Sequence, residues 1–468
     1  MEITKPAERE PEITVGIMDH RIEVTGRLDG EFVADGFAPL PGEFSAVIQE
    51  GRIVLSDRSG RQSGSSPSIR LIPLKGAIPS ASPRTAPQDG RNGCGAEPTF
   101  TLFNVTIGNR FHWERQEDQT FLGSLIFQAR TDGTLAAINA VSLEDYLVSV
   151  IASEMNPAAP KPFLEAHAIL SRSWLLAGLD HRKRKGDPPG APGRTAGEEW
   201  IRWYEREEHD LYDVCADDHC QRYQGIVRAA GREAGEAVRK TRGRVLTYHD
   251  RICDARYSKA CGGRTEEFET AWEDRQVPYL QSLPDGPVHH KPVFTEGDAA
   301  RWILSEPEAH CNTADQELLK TILPDFDLET KRFFRWRVEY SREELQEILR
   351  EKSGVDFGRL EEIVPLQRGP SGRISRLKIA GSKKTLVVGK ELEIRRWLSR
   401  THLYSSAFIV ATTRYRDGQV KRFAFDGAGW GHGVGLCQIG AAVMATRGFS
   451  AEQILKHYFR GVEIKKIY

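Results

Sequence analysis

Between residue 12 and about residue 75, short apolar–polar alternations (ITVGIM, RIEVTG, FSAVIQ, RIVLSD, IRLIPL) are separated by Gly and Asp. That period of two predicts strands joined by tight turns. Residues 77–98 (AIPSASPRTAPQDGRNGCGAEP) are rich in Pro, Gly and Ser and read as an exposed loop. Strand patterns resume at FTLFNVTIG, GSLIFQAR and TLAAINAVS, and then the period changes. In SLEDYLVSVIASEM, Leu143, Leu147, Val150 and Ile151 share one helical face, and the same stripe continues onto Glu154. Ser142 with Asp145 marks the start of this helix, and Pro157 and Pro160 end it. A second helix is predicted over 162–179, with Pro162 in its first turn, and a loop over 182–198.

Beyond residue 290 helices and strands mix. SREELQEIL places Ser341 and Glu344 at capping-box spacing, and GRISRLKIAG with KTLVVGK predicts a hairpin. The C-terminal stretch returns to strand (AFIVATTRY, KRFAFDG), then a glycine-rich run and two short helices split by Gly448. The pattern is too irregular for a doubly wound sheet, and the expected class is α+β, mixed and β-rich, in several lobes. The expected division is a tail over 1–12, a β-rich lobe over 13–130, a core of 131–290 plus 405–468, and a second α/β lobe over 291–404.

Composition narrows the function by exclusion. With 65 basic and 66 acidic residues, nothing marks the chain as a binder of nucleic acid, and HRKRKG (181–186) reads as part of a solvated loop. There is no run of about 18 apolar residues to span a membrane. The N-terminal residues lack the basic start and apolar run of a secretory signal, so either the chain is cytoplasmic or an export signal has been removed. Seven cysteines, at 94, 215, 220, 253, 261, 311 and 437, are too few for a disulfide scaffold.

Three features carry chemistry. Glu154 closes an apolar stripe at the negative end of its helix, a placement that disfavours the ionised carboxylate and suits a general acid. The alternative is a side chain that turns its carboxylate back to water. His209, Cys215, His219 and Cys220 form H-x5-C-x3-H-C, two imidazoles and two thiols that match a closed structural zinc site. A Cys215–Cys220 disulfide with incidental histidines, or two free buried thiols, stand as the other readings. The run DGAGWGHGVGLCQIG alternates glycines 427, 429, 431, 433 and 435 with larger residues. On an extended chain that leaves one bare face and one bearing Trp430 and His432, suited either to a sugar or to close packing. Cys253 and Cys261 lie too far from any histidine in sequence to support a second metal site. Gly262-Gly263 permits a tight turn or a close approach to a ligand.

Several separated motifs together resemble the stage II sporulation protein D/LytB family, whose members act on bacterial peptidoglycan. LEDYLVSVIASEM with FLEAHAILSRSWLLA is similar to its helix–Glu–helix signature, CGGRTEEFETAWED to its central motif, and GWGHGVGLCQIGAAVMATRGFSAEQILKHYFRGVEI to its C-terminal signature. The resemblance runs from about residue 131 to 468. It implies a lytic transglycosylase that cuts between N-acetylmuramic acid and N-acetylglucosamine and leaves 1,6-anhydro ends. Glu154 would then be the single acid/base, with no cofactor for catalysis. Ser153, Arg172, Gly262, Gly263, Trp430, His432, Gly433 and Gln438 become candidate substrate contacts, and His209, Cys215, His219 and Cys220 the zinc ligands. Glycan strands are the implied substrate, a cell-wall amidase the candidate partner, and an extracytoplasmic site the implied location. A non-catalytic enhancer of an amidase is the alternative. A hydrolase borrowing Glu266 or Glu267 as second carboxylate is the third reading. Cys437-Gln438-Ile439 departs from the Ser-Gln-Tyr step common in the family.

Overall fold

The computed structural model describes residues 9–37, 40, 42–74, 97–108, 114–185, 193–204, 209–217, 219–226, 232–288, 291–324, 327–328 and 333–468. Most of the 77–98 loop, Cys94 and residues 186–192 lie outside that set. The chain divides into two compact units. One comprises Lys5–Ala158, Arg206–Gly243 and Lys466–Tyr468, and the other Met1–Thr4, Ala159–Glu205 and Arg244–Lys465.

The first unit is built on two six-stranded sheets, and every strand expected between residues 12 and 75 is present. Alternation decides which side chains face inward: in Glu23–Asp29, Val24 and Leu28 are buried, and in Ser68–Pro73, Ile69 and Leu71 are. The two sheets meet through aromatic pairs such as Phe44–Phe127, whose ring centroids are 5.8 Å apart. Strand Leu135–Ser142 is an exception to the alternation, since it is buried on both faces. Its one amide, Asn139, is fully satisfied: Nδ2 donates to the carbonyls of Leu122 (2.8 Å) and Ser124 (3.1 Å), and Oδ1 accepts from Tyr223 Oη (2.6 Å). From this strand the chain enters helix α1 (Leu143–Glu154). The Asp145 N–H donates to Ser142 Oγ at 3.2 Å, so the cap read from the sequence is present.

The second unit opens with helix α2 (Lys161–Lys185), which runs past the expected end at 179. Residues 181–185, expected in a loop, continue the helix, since Arg and Lys are good helix formers. The expected hairpin forms, with Ile374–Gly381 antiparallel to Thr385–Gly389 in a five-stranded sheet. Strand Val420–Ala428 lies between Arg335–Ser341 and Phe408–Arg414. Trp397, Phe408, Phe423, Phe425 and Leu345 are among the residues that fill the core between these sheets and their helices. Helix Arg342–Ser353 is capped by Ser341 Oγ and stopped by Gly354 in the left-handed region. The β-rich, α+β character is as expected, and among the described residues no helix is long and apolar enough to cross a membrane.

Candidate functional site

In the first unit, Glu154 is the last residue of α1, and Leu143, Leu147, Val150 and Ile151 are all fully buried beneath it. The glutamate itself is 8% exposed, so its carboxyl does not swing out to bulk water. A segment far away in sequence, residues 220–224, runs along α1 and fixes this face. The Arg222 N–H donates to Glu154 Oε1 at 3.1 Å, Gln224 N–H to Ser149 Oγ at 3.2 Å, and Tyr146 Oη to Gln221 Oε1 at 3.2 Å. Tyr223 stacks on Tyr146 and on Phe121, with centroids 5.1 and 5.7 Å apart. Burial pushes the phenol pKa values of Tyr146 and Tyr223 upward, so both rings stay neutral hydrogen-bonding groups. Ser153 is buried beside Glu154, and among the described residues its Oγ has no hydrogen-bond partner.

The same segment begins at the candidate metal cluster. Cys215 sits on a short strand parallel to Glu12–Arg21, opposite Gly16. The Thr14 hydroxyl and N–H both donate to Asp213 Oδ2, and Arg130 pairs with Asp19 and Asp210, which pins the stretch between His209 and Cys215. His209 Nε2 lies 3.4 Å from Cys220 Sγ, and His219 Nδ1 lies 3.5 Å from Cys220 Sγ and 3.9 Å from Cys215 Sγ. All four ligand atoms fall within 4.8 Å of one another. A tetrahedron with Zn–S of about 2.3 Å and Zn–N of about 2.0 Å has edges of about 3.3–3.8 Å, so the donor set fits zinc. Hydrogen bonding, first from Cys220 and then from His209 and His219, pulls the Cys215 thiol down to about 2, toward the thiolate a metal needs. The two cysteines are not bonded to each other in this structure. The turn that brings adjacent His219 and Cys220 together is closed by the Cys220 N–H donating to Asp217 O at 2.9 Å.

In the second unit the glycine ladder is not an extended strand. Glycines 429, 431, 433 and 435 all have φ between 74° and 86°, so every second residue is left-handed and the run coils. Its bare side lies against protein: an added Cβ at Gly429 would meet Ala260 O at 2.7 Å, and one at Gly435 would meet Arg256 O at 2.1 Å. At Gly433 the Cβ would strike the Arg373 guanidinium carbon at 2.4 Å. Arg373 is fully buried, donating to Gly431 O (3.0 Å), Cys261 O (3.1 Å) and Ser371 Oγ (2.9 Å). Gly262 and Gly263 also have positive φ, and Gly262 backs onto the Ala428–Gly429 backbone. Gly262, Gly263 and Gly433 are therefore points of close chain packing on the side where a Cβ would stand.

Arg172 and Gln438 are likewise interior. Arg172 Nη1 donates to the carbonyl of Arg244 at 2.9 Å, and its side chain is fully buried. The Gln438 amide meets His167 Nε2 at 3.1 Å. Burial holds the His167 imidazole down to about 3, so the neutral ring accepts from Gln438 and passes its own N–H to Ser171 Oγ. Both side chains are buried among protein groups. Trp430 and His432 are only half-buried. Trp430 packs on Tyr404 and Phe333, and His432 lies edge-on to Trp272 with Nδ1 accepting from the Val434 N–H. Burial and then the nearby Arg256 keep His432 well below its usual range, and thus neutral.

Sequence reasoning missed Arg373 and the state of Glu266. Glu266 is fully buried: Oε2 accepts from Ser371 Oγ at 2.5 Å, and Oε1 from the Glu267 N–H at 2.8 Å and Thr270 Oγ1 at 3.2 Å. Desolvation raises its carboxyl to about 7 despite these bonds. The signal for Arg373 was the ladder itself, since a glycine that must lack a Cβ implies a large neighbour.

Residues 131–248 match the family described as stage II sporulation protein, and residues 266–435 match a domain of unknown function. The chain is 24% identical over 339 residues to stage II sporulation protein D of Bacillus amyloliquefaciens, covering 70% of this chain and 76% of that protein. It is 24% identical over 340 residues to the Bacillus subtilis protein of the same name, with the same coverage. It is also 25% identical over 250 residues to the amidase enhancer of Bacillus subtilis, covering 49% of this chain and 32% of the enhancer. The similarity to the stage II sporulation protein family thus rests on residues 131–248 and on these relatives at 24–25% identity.

Proposed function

We propose that this chain is a peptidoglycan lytic transglycosylase with Glu154 as its single general acid and base. The observation that carries the reading is the placement of Glu154 at the end of a capped helix whose apolar face is fully buried, with one carboxyl oxygen held by the Arg222 N–H. Fixing Oε1 aims the carboxyl before substrate arrives. In the protonated form it gives its proton to the glycosidic oxygen as the bond to the muramoyl anomeric carbon breaks. The resulting carboxylate then takes the proton of the muramoyl 6-hydroxyl, whose oxygen bonds to the anomeric carbon and closes the anhydro ring. The sugar supplies the nucleophile, so no second carboxylate is required. Consistent with that, the Glu266 carboxyl is fully buried and engaged by Ser371, Thr270 and the Glu267 N–H. A hydrolase relying on it finds no support here.

The proposed zinc at His209, Cys215, His219 and Cys220 is structural, since four protein ligands leave no position for a reacting water. Its contribution is to hold the start of the 220–224 segment, which supplies the N–H that grips Glu154. Peptidoglycan as substrate implies an extracytoplasmic site of action. The similarity to an amidase enhancer favours one second reading, a non-catalytic glycan-binding partner of an amidase.

The test is incubation of wild-type and Glu154→Gln protein with purified glycan strands, denuded and peptide-bearing, with the ends read by mass spectrometry. The expected result is anhydromuramoyl ends from wild type and a loss of about 10²–10⁴-fold in the variant. Reducing ends would convert the enzyme to a hydrolase. Absent cleavage, with glycan bound and a cell-wall amidase stimulated, would establish the second reading instead.

A further inference from the structure

The second unit holds another group of metal-type donors, assembled from four separate stretches of chain. Cys261 opens the Gly262-Gly263 turn, Asp285 follows Pro284, Cys311 lies in the turn after Ala309, and Cys437 caps the helix Gln438–Thr446. One ligand atom from each lies within 4.8 Å of every other, and all four side chains are buried. We propose that Cys261, Asp285, Cys311 and Cys437 form a second, buried, four-coordinate site for zinc.

Three observations carry this. The first is geometry: Cys261 Sγ and Cys311 Sγ are 3.7 Å apart, close to the edge of about 3.8 Å for two thiolates on a tetrahedral zinc. The second is charge. Asp285 is fully buried, and among the described residues no lysine or arginine pairs with its carboxyl; its partners are Tyr458 Oη at 2.5 Å and the Cys311 N–H at 2.8 Å. A buried carboxylate without a cation is costly, and a divalent ion beside three thiols supplies the missing charge. The third is the surrounding shell, which already has the form of a metal site's. The Tyr458 and Cys311 bonds orient the carboxylate and leave each oxygen a lone pair, while the Cys261 N–H donates to Cys437 Sγ at 3.2 Å. Gly440 belongs to this shell, because a Cβ there would meet Asp285 Oδ1 and Tyr458 Oη, each at 2.5 Å.

Three thiolates and one carboxylate carry the same formal charge as a four-cysteine zinc site, and full ligation makes the metal structural. Its role is to tie the central CGG motif to the glycine ladder through Cys261 and Cys437. The neighbouring guanidinium of Arg335 donates to Gly262 O at 3.0 Å and so lies beside the cluster without consuming a ligand.

Metal analysis of the full chain, purified under reducing conditions without chelator, tests this. The expected content is two zinc ions per chain, falling to one in a Cys215→Ser/Cys220→Ser variant and to one in a Cys311→Ser variant. X-ray absorption at the zinc edge of the wild type guards against variants that fail to fold. A mean shell of about 2.5 sulfurs per zinc is expected from one Cys2His2 and one Cys3Asp site, against 2 if only the first is filled. Zinc that vanishes with the Cys215/Cys220 pair, a shell of two sulfurs, or a Cys261–Cys311 disulfide in a peptide map would each overturn the proposal.

Discussion

The two cysteine clusters invite comparison. His209, Cys215, His219 and Cys220 come from a dozen consecutive positions at a half-open sheet edge. Cys261, Asp285, Cys311 and Cys437 are fully buried, and Cys261 and Cys437 lie 176 positions apart. The first is a local turn that brings its own ligands together, while the second exists only once four segments have packed. The first also has an evident consequence, since its chain continues straight into the segment that grips Glu154. The second has no such reach toward a reacting group and belongs to the interior of its unit.

The sharpest way to break the comparison is to remove each cluster and watch glycan cleavage. Changing Cys215 and Cys220 to Ser is expected to cost about 10–100-fold in anhydro-end formation, as loss of an orienting shell does, because Arg222 is no longer held against Glu154. Restoring the fold with excess zinc should not rescue it. Next in size is Gly433→Ala, which drives a Cβ into the buried Arg373 guanidinium at a left-handed position. Overpacking and backbone strain together should cost about 2–4 kcal/mol, read as a lower denaturation midpoint, with the proposed zinc of the first unit unaffected.

A pH effect of intermediate size separates the units further. The Glu266 carboxyl is raised to about 7 from an ordinary 4.5, so the folded protein binds its proton more tightly than the unfolded chain. That contribution to stability is complete below about pH 4.5 and is lost as pH climbs through about 7. Glu266→Gln should flatten this part of the pH–stability curve measured by denaturant unfolding. An unchanged curve would mean that the carboxyl is not desolvated as the structure indicates. The smallest expected effect is Ser142→Ala, about 1 kcal/mol from the lost cap of α1. It should lower the thermal midpoint while leaving metal content intact.

What could be read from the chain was whatever repeats or clusters locally. The strands of the first unit follow from a period of two, α1 and its cap from a period of 3.6, and the first donor cluster from adjacency in sequence. Glu154 was visible because one charged residue interrupted an otherwise apolar face. The glycine ladder was visible but misjudged, since alternation suggested an extended strand where φ values near 80° coil the backbone against Ala260, Arg256 and Arg373. The burial of Arg172 and Gln438, the engagement of Glu266 and the union of Cys261 with Asp285, Cys311 and Cys437 were decided only by tertiary structure. Sequence alone determines local backbone preference and the face a residue presents. Which distant residue meets that face depends on chain packing, and packing is also what strips water from a carboxyl and gives a buried thiol its partners.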